Sequence, residues 1–206
     1  MRYSVFVILF VCAQVFGTAD PSWKELNANV QQLYTEGEFA RAAVAAENAL
    51  DAAKEAFGAK DIRTLRAMNN LAMICKVMGR LDKAESLYEE CISLKEKLLG
   101  RDSLQVSVSL NNLAELKKVK GDFDRAEVLL KRALKIKESH LGRAHPKYAL
   151  GLNNLAGLYA AQGEYLRAES LYEEAVGICR KAYKDKGHAL ARVYSNLAAL
   201  YEGRRQ

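Results

Sequence analysis

The chain has 206 residues, of which 50% are hydrophobic and 27% are charged, a composition that is ordinary for a globular protein. Its two prolines argue against a disordered or proline-rich protein. Lys and Arg exceed Asp and Glu by 31 to 25, but no run of five or six basic residues marks a nucleic-acid or membrane-binding arm. The formal charge of +6 hints at acidic partners without selecting one.

Residues 1–19 have the layout of a secretory signal peptide. Arg2 precedes an unbroken apolar run from Val5 to Val11, which Cys12, Ala13, Val15 and Phe16 extend, and small residues at 17–19 supply a cleavage site. The run is shorter than the roughly 20 residues that span a bilayer as a helix. We therefore expect cleavage near Ala19 and export to the periplasm or the medium. The alternative is an uncleaved signal that anchors the protein in a membrane.

A glycine pattern dominates the rest of the chain. The string Gly-x-(aromatic or Leu)-x-x-Ala recurs four times at a spacing of 42 residues, beginning at Gly37, Gly79, Gly121 and Gly163. A fixed period of this size is typical of a solenoid, because each unit buries its apolar face only by stacking on the next.

Two helices are predicted in each unit. Helix A precedes the glycine and is centred on Asn-Asn-Leu-Ala, while helix B follows it with apolar residues at i, i+4, i+7 and i+8, such as Ala84, Tyr88, Cys91 and Ile92. The glycine suits the left-handed conformation that ends helix A. We expect one domain over residues 20–206. It comprises helix pairs at about 20–61, 62–103, 104–145 and 146–187, and a lone C-terminal helix at 188–204.

That last helix carries an apolar stripe of Val193, Leu197, Leu200 and Tyr201. We interpret the helix as the cap of the solenoid. The alternative is that its outer edge binds a second copy of the chain, which would make the protein a self-associating structural spacer in an envelope complex.

The cysteines do not suggest a metal or redox site. Cleavage near Ala19 would remove Cys12, and the remaining Cys75, Cys91 and Cys179 are an odd number without a ligand spacing. Cys91 stands where other units have alanine, which predicts a small, buried, apolar side chain.

At these residues the chain resembles the tetratricopeptide repeat, in its kinesin-light-chain-like variety with a 42-residue period. The longest matching string includes Leu152–Ala156, Tyr159, Gly163, Tyr165 and Ala168. The resemblance implies an all-α fold, a right-handed α-solenoid of antiparallel helix pairs with helices A on the concave side. It also implies binding of a protein or peptide, without catalysis and without a cofactor.

The asparagines of helix A are the candidate peptide-binding residues. Asn offers both donors and an acceptor, so it can pair with the backbone of an extended peptide. We expect the first residue of each pair to project away from the Ala and Leu core, although asparagines at the contact between repeats could instead fix the register. The series comprises Asn69, Asn70, Asn111, Asn112, Asn153, Asn154 and Asn196.

Basic residues are predicted on the same face. Arg66, Lys76 and Lys118 join the peptide-binding set, with Lys24 and Arg192 nearby, and would favour an acidic peptide or a C-terminal carboxylate. Helix B charges, such as Lys95–Lys97 and Lys131–Arg132, are assigned to the outer surface. No nucleophile elbow, phosphate loop or metal-ligand pair occurs, so catalysis is not expected. A repeated Asn also cannot encode a varied RNA sequence.

Overall fold

The computed structural model describes residues 19–183 and 188–203, and every regular element within these ranges is an α-helix. The predicted signal peptide lies outside the described residues except for Ala19. The all-α fold predicted from the sequence is confirmed. The helices are α1 (Ala19–Thr35), α2 (Phe39–Phe57), α3 (Ile62–Val77), α4 (Leu81–Leu99), α5 (Leu104–Val119), α6 (Phe123–Leu141), α7 (Pro146–Ala161), α8 (Tyr165–Tyr183) and α9 (His188–Gly203).

Odd-numbered helices are helices A and even-numbered helices are helices B. Within the described residues, none is both long and apolar enough to cross a membrane. The chain divides into two compact units, one ending at Arg80 and one beginning at Leu81.

A glycine turn ends helix A in each repeat. At Gly121 the φ angle is 77°, the Gly121 amide donates to the carbonyl of Lys118 at 3.0 Å, and the Asp122 amide donates to that of Lys117 at 2.9 Å. This pair of bonds is the Schellman motif, which satisfies the last carbonyls of a helix and requires a left-handed residue. The same bonds form at Gly37, Gly79 and Gly163. At Gly37, Gly121 and Gly163, which lie within the units, a turn this short returns helix B antiparallel to helix A.

Polar caps begin helix A. The Asp61 side chain accepts from the amide of Arg63, and the Ser103 side chain accepts from that of Val106. His145 caps α7 through its ring nitrogen, and Pro146 stands at the first helical position, where its fixed φ suits the helix start.

The first unit packs α2 against both α1 and α3. The alanine-rich α2 packs through small side chains, and Val30 of α1 and Leu65 of α3 are buried. Trp23 meets Phe57 edge to face at 6.0 Å between ring centroids. Thr64 donates its hydroxyl to the carbonyls of Ala53 and Gly58, which ties the start of α3 to the end of α2.

The second unit, α4 to α9, is built as neighbour-on-neighbour contacts. Each helix from α4 onward packs on the next, and α7 also contacts α5 and α9. Its core places small or apolar side chains at equivalent positions of successive repeats. The residues with no exposed surface include Ala84, Tyr88, Cys91, Ala114, Ala126, Ala133, Ala156, Ala168 and Ala175. The predicted helix B stripe and the buried, small character of Cys91 are therefore confirmed.

One charged contact holds α4 to the end of α5. Lys117, buried on α5, donates to the carboxylate of Glu85, which also accepts from Lys120 at 2.6 Å. These two hydrogen bonds lower the pKa of Glu85. One repeat later Tyr159 replaces Lys117 and donates to Glu127, the equivalent of Glu85, at 2.7 Å.

The glycine turn generates the first prediction. Gly121→Ala should destabilise the protein by about 1–2 kcal/mol, because an alanine is strained at this φ although no atom lies within 4 Å of the added Cβ. The control is Gly177→Ala inside α8, which should stabilise by about 1 kcal/mol. Urea unfolding measures both, and equal effects would contradict the turn assignment.

The Glu85 contact predicts a pH dependence. Because folding lowers its pKa below the ordinary value of a glutamate, Glu85 contributes stability above its unfolded pKa and loses it as the pH falls through the folded pKa. Glu85→Gln should lower the unfolding free energy at neutral pH, since it leaves the buried Lys117 with Asp122, at 3.6 Å, as its carboxylate partner.

The variant should also lose less stability than the wild type between about pH 6 and pH 3. Unfolding curves at each pH measure this, and parallel losses would show that Glu85 is not linked to folding.

Candidate peptide-binding surface

Asparagines of successive helices A bond to each other across the seam, our term for the contact between helices A of neighbouring repeats. In the first unit Asn70 donates to Asn27 at 3.0 Å, and in the second Asn196 donates to Asn153 at 2.9 Å. In both cases the second asparagine of one repeat meets the first asparagine of the repeat before it. The register role left open by the sequence is thus present in the structure.

The predicted outward projection of the first asparagine does not hold for Asn153. This side chain is only 3% exposed, because α7 is covered by its neighbours α5 and α9. Asn69 and Asn111 are half-buried, and Asn69 and Asn112 have interaction partners of their own. Position along one helix could not reveal this burial, since it is caused by the adjacent repeat.

We call each contact between two neighbouring helices A along the seam a rung. The rung between α5 and α7 differs from the rungs between α1 and α3 and between α7 and α9. The buried Oδ1 of Asn111 has no hydrogen-bond partner. Asn154 accepts from its neighbour Asn153 at 3.4 Å. An unsatisfied buried acceptor is costly and calls for an explanation.

A pocket of about 320 Å³ lies at this rung, between α5, the end of α6, α7 and α9. Its lining combines amide groups with basic side chains and apolar ones. We call it the Lys137 pocket, and its polar lining is Ser107, Asn111, Asn112, Lys137, Lys147, Asn154 and Arg192. Three of the predicted asparagines are therefore brought together with Arg192.

Lys137 is a pocket residue that sequence reasoning missed. It is only 7% exposed, although helix B charges were assigned to the outer surface. Burial, and secondarily the charge of Arg192, lowers its pKa to about 8. The missed signal was periodic: Lys95, 42 residues earlier, is buried at the same repeat position, which corrects its outer-surface assignment as well.

The other predicted basic residues do not join this pocket. Arg66 lies in the first unit, where its guanidinium is 5.9 Å from the centroid of the Trp23 ring. Lys76 is half-buried in that unit. Lys118 pairs with Glu115 at 2.8 Å, which offsets its charge.

The cysteines offer no second chemistry. Cys75, Cys91 and Cys179 are buried free thiols. Burial raises the pKa of both the Cys91 and the Cys179 thiol, which makes them poor nucleophiles. Across the described residues, no cluster of His, Cys, Asp or Glu is arranged to hold a metal ion.

Comparison with known proteins decides the family. The tetratricopeptide repeat model matches residues 26–97, 63–139 and 148–206, which is more than half of the chain. The chain belongs to the tetratricopeptide repeat family. Tetratricopeptide repeats generally mediate protein–protein interaction and are typically non-catalytic scaffolds. No significant match was found among the curated proteins.

Solved structures share this tetratricopeptide fold. BtubC (BKLC) from P. vanneervenii is 26% identical with a TM-score of 0.73, over 87% of this chain and 71% of that chain. The nearly identical TPR-like repeats of a kinesin-light-chain-type protein from Podosopora anserina are 21% identical with a TM-score of 0.71. That match covers 89% of this chain and 87% of that one. The kinesin-light-chain-like variety of the repeat is thereby confirmed.

Proposed function

We propose that this tetratricopeptide repeat protein is an exported, non-catalytic scaffold that binds an extended peptide segment of a partner protein on its helix A surface. The Lys137 pocket carries the proposal, because it opens where helices A of successive repeats meet and contains a buried amide oxygen without a partner. An extended peptide presents backbone N–H groups that such an oxygen accepts.

The asparagine series has two roles in this proposal. Asn27, Asn70, Asn153 and Asn196 bond to one another and hold the register between repeats. Asn111, Asn112 and Asn154 line the Lys137 pocket and contact the peptide. The protein thus uses asparagine to join neighbouring repeats at some rungs and to bind the peptide at another.

Export depends on residues 1–19 acting as a cleaved signal peptide. The charged start, the apolar run and the small residues support this role. N-terminal sequencing of protein recovered from the envelope or the medium should find a chain that starts near residue 20. A chain that retains residue 1 would instead indicate the membrane-anchored alternative.

Self-association through α9 is the competing function. Val193 and Leu200 of the apolar stripe are buried, and α9 contacts both α7 and α8. Of the stripe, Tyr201 stays exposed at 39%, and Tyr194, about two turns earlier on α9, is exposed at 43%. This inward packing supports the capping role, and light scattering that finds a dimer at micromolar concentration would favour the spacer function.

Partner capture tests the peptide-binding proposal. Immobilised mature chain should retain a protein partner, and the double variant Asn112→Ala with Asn154→Ala should retain at least about tenfold less, because pocket amides no longer pair with the peptide backbone. Asn48→Ala is the matched control, since Asn48 is exposed on the helix B side of the first unit. Equal capture by wild type and double variant would refute the assignment of these asparagines.

A further inference from the structure

We propose that Lys137 is a covalent modification site, at which the side-chain amine condenses with an aliphatic aldehyde to form an imine. The inference goes beyond the proposed function, because it concerns a reaction of one side chain rather than the binding of a peptide. The reaction needs no partner protein, so it can be measured independently of partner capture.

Lys137 is a buried amine without a partner. Its side chain is 7% exposed and lines the pocket, and no hydrogen bond or ion pair involves it among residues 19–183 and 188–203. A desolvated ammonium is costly unless it is paired, and the lowered pKa of Lys137, about 8, reflects that cost. The amine therefore loses its proton more readily than a solvated lysine does. The neutral amine is the form that attacks a carbonyl group.

The preceding repeat shows how a lysine at this position is satisfied internally. Lys95, the equivalent residue, donates to the hydroxyl of Ser109 at 2.8 Å. An acceptor of this kind favours the charged form of an amine. The equivalent of Ser109 is Gly151, which has no side chain to accept a bond. A Cβ on Gly151 would lie 3.5 Å from Nζ of Lys137, so the glycine leaves both the space and the amine unused.

The other charges of the pocket also favour the neutral amine. Lys147 on α7 and Arg192 on α9 are the other charged groups that line it, and no Asp or Glu occurs among its described lining residues. The positive charge of Arg192 contributes to the lowered pKa of Lys137. Desolvation and a neighbouring cation are two ways in which proteins activate a lysine that forms Schiff bases, and Lys137 combines them.

The reaction is a condensation that needs no oxidant or reductant. The lone pair of Nζ attacks the carbonyl carbon, and the π electrons of the C=O bond move to oxygen. A proton then passes from nitrogen to that oxygen. The hydroxyl group leaves with the remaining N–H proton as water, and a C=N bond replaces the C–O bond. Asn112 and Asn154 in the pocket wall carry N–H donors for the oxygen while it bears charge.

The apolar part of the lining selects an aliphatic chain. The pocket volume is about 320 Å³, and Leu104, Val108 and Leu141 share the lining with the polar groups. An alkyl chain attached to the carbonyl carbon would bury its methylene groups against these side chains. An aldehyde also carries only one substituent besides hydrogen, which suits a carbon that must approach an amine held in a pocket wall.

Borohydride trapping tests the site in the wild-type protein. The mature chain is mixed with butanal, borohydride converts each imine to a stable butylamine after a fixed time, and peptide mass spectrometry measures labelling at each lysine. At about pH 7.5, Lys137 should be labelled at least about tenfold more than Lys135, an exposed lysine of the same helix. The reason is that a lysine of pKa near 8 has a neutral fraction roughly a hundredfold larger than an ordinary lysine.

The pH profile gives a second readout. Labelling of Lys137 should rise with pH and level off above about pH 9, whereas that of an ordinary lysine should still be rising at about pH 10. Equal labelling of Lys137 and Lys135 at neutral pH, or parallel profiles for the two residues, would overturn the proposal.

Chain length tests the aldehyde class. The ratio of Lys137 to Lys135 labelling should be at least about threefold higher with butanal than with formaldehyde, because only butanal has an alkyl chain to bury in the pocket. The same ratio with both aldehydes would refute the assignment of an aliphatic ligand.

Two variants of one residue test the missing acceptor. Gly151→Ser should reduce labelling of Lys137 at least about fivefold at neutral pH, because the new hydroxyl accepts from Lys137 as Ser109 does from Lys95. Gly151→Ala, the matched control, adds a Cβ without an acceptor and should reduce labelling less than about twofold. Neither variant should lower the melting temperature, since both residues are better helix formers than glycine and the close atom, Leu134 Cδ1 at 2.8 Å, is a side-chain end.

An equal loss of labelling in both variants would show that space, rather than the missing acceptor, controls the reaction, and would contradict the proposal. Partner capture is measured without aldehyde and depends on Asn112 and Asn154. An unreactive Lys137 therefore leaves the proposed function intact, and failed capture leaves the labelling of Lys137 unchanged.

Discussion

The close approach of helix A to helix B through alanine is the constraint on which the rest of the fold depends. In the second unit Ala114 and Ala156 on helices A, and Ala126 and Ala168 on helices B, have no exposed surface. A larger side chain at any of these positions would separate the two helices and displace the next repeat, because interiors are close-packed. The alanine contact sets the distance between helix A and helix B, and the glycine turn sets the direction in which helix B leaves helix A.

Because the repeats share one backbone arrangement, a single residue difference between two repeats changes which hydrogen bonds a buried side chain can form. Two pairs of positions that lie 42 residues apart can be compared directly. Lys95 donates a hydrogen bond to Ser109, whereas its equivalent Lys137 faces Gly151, which has no side chain to accept one. Leaving Lys137 unpaired is costly, whereas the other buried polar side chains Lys95, Lys117 and Asn153 each have a hydrogen-bond partner. Functional sites are commonly places where local stability is sacrificed in this way.

The fold was largely predictable from the sequence, because a period of 42 residues averages out local ambiguity. The glycine turns and the helix B stripe follow from repeated residue types. The site was less predictable, because burial in an array depends on the neighbouring repeat. Asn153 was predicted to point outward and is buried, while Lys137 was passed over among helix B charges. Ala198 fits the alanine pattern yet is exposed, since no helix B follows α9 in the described residues.

Mapping of hexaglutamate, an extended peptide of the acidic class that the sequence favours, onto the mature protein by ¹⁵N–¹H NMR tests the central claim of peptide binding on the helix A surface most directly. The account predicts that shift changes cluster at the start of α5, the end of α6, α7 and Arg192, around Lys137, and are absent from the surfaces of α4 and α8. Changes confined to the helix B surfaces, or spread evenly over all basic residues, would contradict it.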